Sequence, residues 1–229
     1  MCLLALWLGL DPKTSLVVAA NRDESYARPS APPAELEAGI VAGRDLESGG
    51  TWLGINPHGL FVAVTNRRSP SRPPGAVSRG LLALETLRCR KLPCVEGIVE
   101  RRVRDHPFAG FNLVAVVDGQ GLCLHYDGTL RRAPFGTGVH VVSSDRDLDD
   151  PEMPEKKAVD RFVAAHPGLP DEATLRTLLG SHEGERAVCK HGDGFGTVSS
   201  TILFDRDDGF RLLHADGPPC RTEFVEFRR

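Results

Sequence analysis

The sequence predicts an α+β protein of two mostly antiparallel sheets packed together, with helix pairs outside them. Three observations predict it. The element order runs from several strands to two helices, then strands, two helices and strands again. The strand runs, among them CLLALWLGL, SLVVAA and FNLVAVV, are too apolar to keep one face in water, so both faces need cover. Asp118-Gly119, Asp127-Gly128 and Asp207-Asp208-Gly209 are turn sequences that join successive runs as hairpins. No internal repeat or linker breaks the order, so residues 1–229 are expected to form a single domain.

Each element has a local reason. CLLALWLGL and SLVVAA flank Asp11-Pro12-Lys13-Thr14, and their length and the Val pair favour a strand hairpin over a helix. NRDESYARPSAPPAEL is polar and rich in Pro, and is expected to be loop. TWLGINPHGLFVAVTN holds a second hairpin, turning at Asn56-Pro57-His58-Gly59. NRRSPSRPPGAVSRG reads as a surface loop; its PSRP is Pro-stiffened chain rather than a signalling ligand. SRGLLALETLRCRK, capped by Ser78, and CVEGIVERRVRDH, ended by Pro107, form the first helix pair. FNLVAVVDGQGLCLHYDGTLRRA is a meander and GVHVVSS one more strand. Residues 155–166 and 171–182 form the second helix pair, before the closing strands of VSSTILFDRDDGFRLLHADG and EFVEF.

Charge and cysteine usage exclude several classes. With 28 Lys+Arg against 31 Asp+Glu, the net charge of −3 argues against a nucleic-acid partner. The segment from Leu3 to Leu10 has no basic flank or cleavage site, and Asp11-Pro12 stops it short of a membrane span. A cytoplasmic or similarly reducing location is expected. The six cysteines are scattered without a CxxC pair, so neither a disulfide framework nor a zinc site is expected. Most of them read as small buried hydrophobes. His58, His106, His125 and His214 lack ligand spacing, and no metal or other cofactor is expected. His191-Gly192-Asp193-Gly194-Phe195-Gly196 has no preceding strand and does not read as a nucleotide loop.

Cys2 needs separate treatment. If the first turn centres between Pro12 and Lys13, paired residues sum to roughly 25. Cys2 then falls opposite Asp23 within a residue or two, beside Asn21, Arg22 and Glu24. Those four polar residues are either a solvated loop with its own ion pair or the wall of a site. Removal of Met1 would leave a thiol and a free α-amine on one residue. The amine, with a pKa of roughly 7.7–8, can take the proton of a thiol whose pKa is roughly 8.5. A neighbouring Arg favours the thiolate and a carboxylate orients the ammonium. Further along, Arg44, Asp45, Gly49, Gly50, Thr51 and Trp52 read as a pocket edge. There the glycines allow close backbone approach and Trp52 offers a flat apolar wall. The alternative is a tight loop with a core Trp.

The MCLL start, VVAANRDE, GRDLESGGTWLGIN, GLFVAVTNRR and the late FGTVSSTILFD resemble, in order, the NRDE proteins, the family of the transport-and-Golgi-organisation protein 2. These are similar to N-terminal-nucleophile (Ntn) hydrolases of the choloylglycine hydrolase and penicillin V acylase type. The resemblance implies a four-layer αββα fold and a cysteine-nucleophile amide hydrolase for a small acylated substrate. It makes Cys2 the nucleophile, with its own amine as base. Arg22 and Asp23 would support it, although Asn21 and Glu24 could take those places by register. Asn66, at the end of FVAVTN, would be the oxyanion donor. Asn21, Glu24, Arg44, Trp52 and Thr65 are the expected substrate contacts. Two positions depart from the pattern: Ser144 stands where many relatives have Asn, and Val198 where a related motif has Arg. The animal members' association with haem and lipid implies the alternative, a non-catalytic carrier holding haem or a lipid-like ligand in the same cleft. Oligomeric state is left open.

Overall fold

The computed structural model describes residues 3–67, 73–183 and 187–227. Its contacts divide the chain into two compact units, one of residues up to Ala27 and from Thr137 onward, the other of Arg28–Gly136. The second unit is therefore an insertion within the first. Among the described residues no helix is long and apolar enough to cross a membrane.

The first unit begins with β1 (Leu3–Asp11) and β2 (Thr14–Ser25). The expected register holds at the turn, where Asp11 pairs with Thr14. A bulge then shifts it by one, so Leu8 pairs with Leu16 and Leu3 with Asn21. Gly9, with φ of 62°, supplies the left-handed residue in the bulge. β2 does not stop at Ala20 as its composition suggests. Residues 21–25, expected as loop, continue the strand because a later strand pairs with all of them, from Asn21–Ser200 to Ser25–Phe195.

The inserted unit contributes β3 (Ser30–Glu35), β4 (Val41–Asp45), β5 (Leu53–Ile55) and β6 (Phe61–Asn66), then α1 (Arg79–Thr86) and α2 (Leu92–Asp105). The meander β7 (Phe111–Val117), β8 (Gln120–Tyr126) and β9 (Leu130–Phe135) completes it. These strands form one seven-stranded antiparallel sheet in chain order. β3 was expected as loop; it is an edge strand, where Pro costs no ladder bond, and its register shifts between Ala31 and Ala34 across the two prolines. The Asp118-Gly119 turn has positive φ at both residues, 53° and 70°, as a two-residue hairpin requires.

One face of this sheet packs on the helix pair through Val62, Val64, Leu113 and Leu124 against Leu82, Leu87, Val95 and Val99. A disulfide joins Cys89 and Cys94, with Cα atoms 5.8 Å apart, and this corrects the expectation that no such bond forms. α1 ends earlier than its composition suggests, so Cys89 lies in the connection and Cys94 in the first turn of α2, within bridging distance.

The GGTW segment runs close to the start of α1. Thr51 N–H donates to Gly80 O at 3.0 Å, and a Cβ on Gly50 would lie 2.2 Å from the Gly80 carbonyl carbon. Gly50→Ala is therefore expected to destabilise the protein by about 2–3 kcal/mol. Gly97→Ala, in the open middle of α2 with nothing within 4 Å, should instead stabilise it by about 0.5–1 kcal/mol. Urea denaturation of the two variants checks both signs.

The first unit resumes with β10 (Gly138–Ser143), α3 (Pro154–Ala165) and α4 (Glu172–Gly180). β11 (Phe195–Arg206), β12 (Gly209–Ala215) and β13 (Val225–Phe227) follow. Its six-stranded antiparallel sheet has the order β10-β1-β2-β11-β12-β13, which puts β1 and β2 in the middle. Odd-numbered residues of the first hairpin, Leu3, Ala5, Trp7, Val17 and Ala19, pack on Val159, Phe162, Leu175 and Leu179 of the helix pair. The even-numbered Leu4, Leu6, Leu8, Val18 and Ala20 are buried as well. Both faces of β1 and β2 are thus buried along most of their length, which is why these strands read as unbroken apolar runs.

Candidate active site

Cys2, the expected nucleophile, lies outside the described residues. What the structure describes is the strand it was expected to face. At the end of β2 four polar residues in a row take part in strand pairing, and alternation sends them to different faces.

Asn21 is fully buried on the helix side. Its Nδ2 donates to the carbonyls of Leu179, in α4, and Val188, each at 2.9 Å, and its Oδ1 accepts from Ser200 Oγ. The amide is thus committed to the protein interior, which corrects its expected role as a substrate contact. Asp23 shares that side and is 1 % exposed. Thr197 Oγ1 donates to its Oδ1 at 2.7 Å, and Lys190 Nζ lies 2.9 Å from its Oδ2. That ammonium is off the oxygen's hydrogen-bonding direction, so the contact is an ion pair. Lys190 also pairs with buried Glu155 of α3 at 3.3 Å. Asp23 therefore belongs to a carboxylate–ammonium–carboxylate cluster under the helices, on the opposite side of β2 from Arg22.

Arg22 is 4 % exposed and sits opposite Ser199 in the β2–β11 register. Burial first, and then the Arg22 charge, push the imidazole of His214 on β12 down to about 4. Neutral His214 has Thr201 Oγ1 at 3.0 Å from its Nδ1. Ser199 Oγ is buried and has no hydrogen-bond partner among the described residues. The bulge between Thr197 and Ser199 falls at Val198, the position that departs from the family pattern, and sets how Ser199 faces Arg22. Glu24 is half-buried, and its Oε1 accepts from the Ser25 N–H at 3.0 Å.

The remaining expected residues belong to the inserted unit. Asn66 ends β6 with its side chain exposed. Thr65 before it is buried, and its hydroxyl accepts from Asn112 Nδ2 at 3.1 Å. Asn112 Oδ1 in turn accepts from His125 Nδ1 at 2.8 Å and from Arg67 Nη1 at 3.4 Å. Thr65 is thus part of an internal polar network rather than an open contact. Trp52 is 6 % exposed and its six-membered ring covers Gly43, where an added Cβ would come within 2.4 Å of Cζ2. The expected ligand wall is a core residue. Arg44 is half-buried on β4, and its Nε has no hydrogen-bond partner among the described residues. Asp45 beside it is tied up. Burial would raise its pKa, but the Arg28 guanidinium at 2.8 Å and the N–H groups of Ser48 and Glu47 hold it below the usual value.

Sequence reasoning missed Lys190, Glu155, Asn112 and the orphaned hydroxyl of Ser199. Lys190 and Asp23 are brought together only by the β2–β11 pairing, and no local pattern marks Lys190. The one available signal was FGTVSS, which was read as family resemblance.

The family described as Transport and Golgi organisation 2 matches residues 1–159. The Transport and Golgi organization protein 2 homolog of Homo sapiens is 37% identical over 248 residues, covering 91% of this chain and 85% of that protein. The homolog of Bos taurus is 27% identical over 263 residues, covering 93% and 92%. Among solved structures, the Caenorhabditis elegans ortholog of N-acylethanolamine-hydrolyzing acid amidase matches with a TM-score of 0.66 at 11% identity, over 98% of this chain and 100% of that one. A variant of conjugated bile acid hydrolase from Clostridium perfringens matches at 0.51 and 9%, over 100% and 97%. These likenesses show the fold, which is α+β and of the Ntn-hydrolase type, as the sequence resemblance implied. By profile and by identity along most of its length, the chain belongs to the transport and Golgi organisation 2 family.

Proposed function

We propose that the protein is an N-terminal-nucleophile amidohydrolase that cleaves the C–N amide bond of a small acylated substrate. One observation carries the reading: a buried guanidinium, Arg22, stands across from a buried hydroxyl with no described partner, Ser199 Oγ. Both lie just past Asn21, the partner of Leu3, and Cys2 precedes Leu3 in the chain. A buried guanidinium favours the charged form of an anion placed beside it. A cysteine thiolate and the oxyanion it generates are anions of that kind. The two solved structures of the same fold are named as hydrolases of N-acylethanolamines and of conjugated bile acids, both acylated amines.

In the proposed reaction the α-amine of Cys2 takes the thiol proton, and the thiolate attacks the amide carbonyl carbon. Arg22 stabilises the thiolate and the oxyanion it generates. The ammonium returns the proton to the leaving nitrogen as the C–N bond breaks, leaving a thioester. Water, deprotonated by the same amine, hydrolyses it. Asp23 acts at a distance in this scheme, as a fixed charge whose partner is Lys190.

The mechanism requires a chain cut before Cys2. Intact mass of the active protein should show loss of Met1, and Cys2→Ala should lower turnover of a panel of N-acyl amines by at least ~10³-fold. Arg22→Leu should lower kcat by roughly 10²–10³-fold. Retention of Met1 in a homogeneous active preparation sinks the reading. Haem or fatty-acid binding with no amide turnover would move it to the carrier alternative.

A further inference from the structure

Away from Arg22 and Ser199, four donor side chains of the first unit converge. His182 follows α4, Cys189 and His191 lie on the segment that leads into β11, and Cys220 sits in the turn after β12. One ligand atom from each lies within 4.8 Å of the other three. His191 Nε2 is 3.3 Å from Cys220 Sγ and 3.6 Å from Cys189 Sγ. The rings of His182 and His191 have centroids 5.2 Å apart. His182 Nδ1 lies 3.0 Å from the carbonyl oxygen of Cys189. A carbonyl can only accept, so Nδ1 carries the hydrogen and Nε2 keeps the lone pair. Metal-bound histidines are oriented in this way by a backbone acceptor.

The spacing fits a tetrahedral cation. With Zn–S bonds of about 2.3 Å and Zn–N bonds of about 2.0 Å, neighbouring N and S ligands stand about 3.5 Å apart. The backbone that carries the donors is held independently of them. Val188 and Cys189 N–H groups donate to Ser181 O at 3.1 and 2.9 Å, and Lys190 and Thr197 exchange bonds at 2.9 Å. The end of α4 closes on the remaining ligand: a Cβ on Gly180 would stand 3.4 Å from Cys220 Cα.

We propose that His182, Cys189, His191 and Cys220 form a closed structural site for one borderline-soft divalent cation, zinc by preference. Two thiolates and two imidazoles match zinc's ligand set, and four protein ligands leave no position open for substrate. The sequence conceals the set because Cys189 and His191 are separated by one residue and Cys220 is distant, so no CxxC pair appears. The residue between Cys189 and His191 is Lys190, whose ammonium pairs with Asp23. A cation here would fix the segment that aims that ammonium, joining the chain after β12 to the end of β2.

The test uses the full chain, purified without a polyhistidine tag under reducing conditions. Elemental analysis should find close to one zinc per chain. After chelation, cobalt(II) should restore a spectrum with near-ultraviolet thiolate charge transfer and the intense visible bands of tetrahedral coordination. Cys220→Ser, at an exposed position, should weaken cobalt binding at least tenfold, and His106→Asn, an exposed histidine of the inserted unit, should leave it unchanged. Wild-type protein with free thiols that gives no such spectrum overturns the proposal without reliance on any variant. So does a Cys189–Cys220 disulfide in the same reduced preparation, detected by mass after alkylation.

Discussion

Asn21→Ala is expected to destabilise the protein by about 3–5 kcal/mol, with no ligand present. The substitution removes the donor to two carbonyls and the acceptor of one hydroxyl, all three in the buried region where α4 meets β2 and β11. Asn21 is fully buried, and each buried polar group left unpaired costs about 1–3 kcal/mol. Asn21→Asp should be no milder, because it turns the two-hydrogen donor into an acceptor aimed at Leu179 O and Val188 O. Urea denaturation monitored by far-UV circular dichroism measures the effect. A loss under ~1 kcal/mol would falsify the internal role given to this amide and return Asn21 to the list of ligand contacts.

Acid is expected to destabilise the protein through His214. In the folded protein its imidazole stays neutral down to about pH 4, whereas in the unfolded chain it gains a proton near the ordinary histidine value of 6.5. Between those values the unfolded state binds more protons, so lowering the pH favours it. The stabilisation is fully present above pH 6.5 and lost as pH falls towards 4. It amounts to on the order of 3 kcal/mol in all, of which about 2 kcal/mol is gone by pH 5. Denaturation midpoints measured at pH 7.5, 6 and 5 should fall more steeply for the wild type than for His214→Gln. Parallel slopes would mean that the imidazole titrates normally and that Arg22 and burial do not act on it.

The apolar strands, the Asp-Gly turns and both helix pairs were legible because each is specified within a few residues. Leu4 and Val18 announce a buried strand whatever lies far away in the chain. Residues 21–25 and Ser30–Glu35 were not legible, since polar and Pro-rich composition mimics loop. Only pairing with Phe195–Ser200 and with β4 makes strands of them. The same reason divides the site. That polar residues after SLVVAA matter could be read locally. Their sorting onto two faces, with Asp23 given to Lys190 and Arg22 set opposite Ser199, depends on a strand more than 170 residues later. Trp52 misled because an aromatic beside glycines suits a ligand wall and a packed ring equally; Gly43, nine positions earlier, decided it.

The nesting of one unit inside the other bears on how the protein is made. As the chain leaves the ribosome, β1 and β2 emerge before their outer neighbours β10 and β11, which come only after the whole of Arg28–Gly136. Throughout that interval the first hairpin has two unsatisfied edges. Arg22 has no Ser199 across from it, and Asp23 no Thr197, until synthesis passes residue 199. Arg22, proposed to act in the chemistry, is thus translated long before the strand that completes its surroundings, so a ribosome that stops before Phe195 releases a chain in which the site is not assembled.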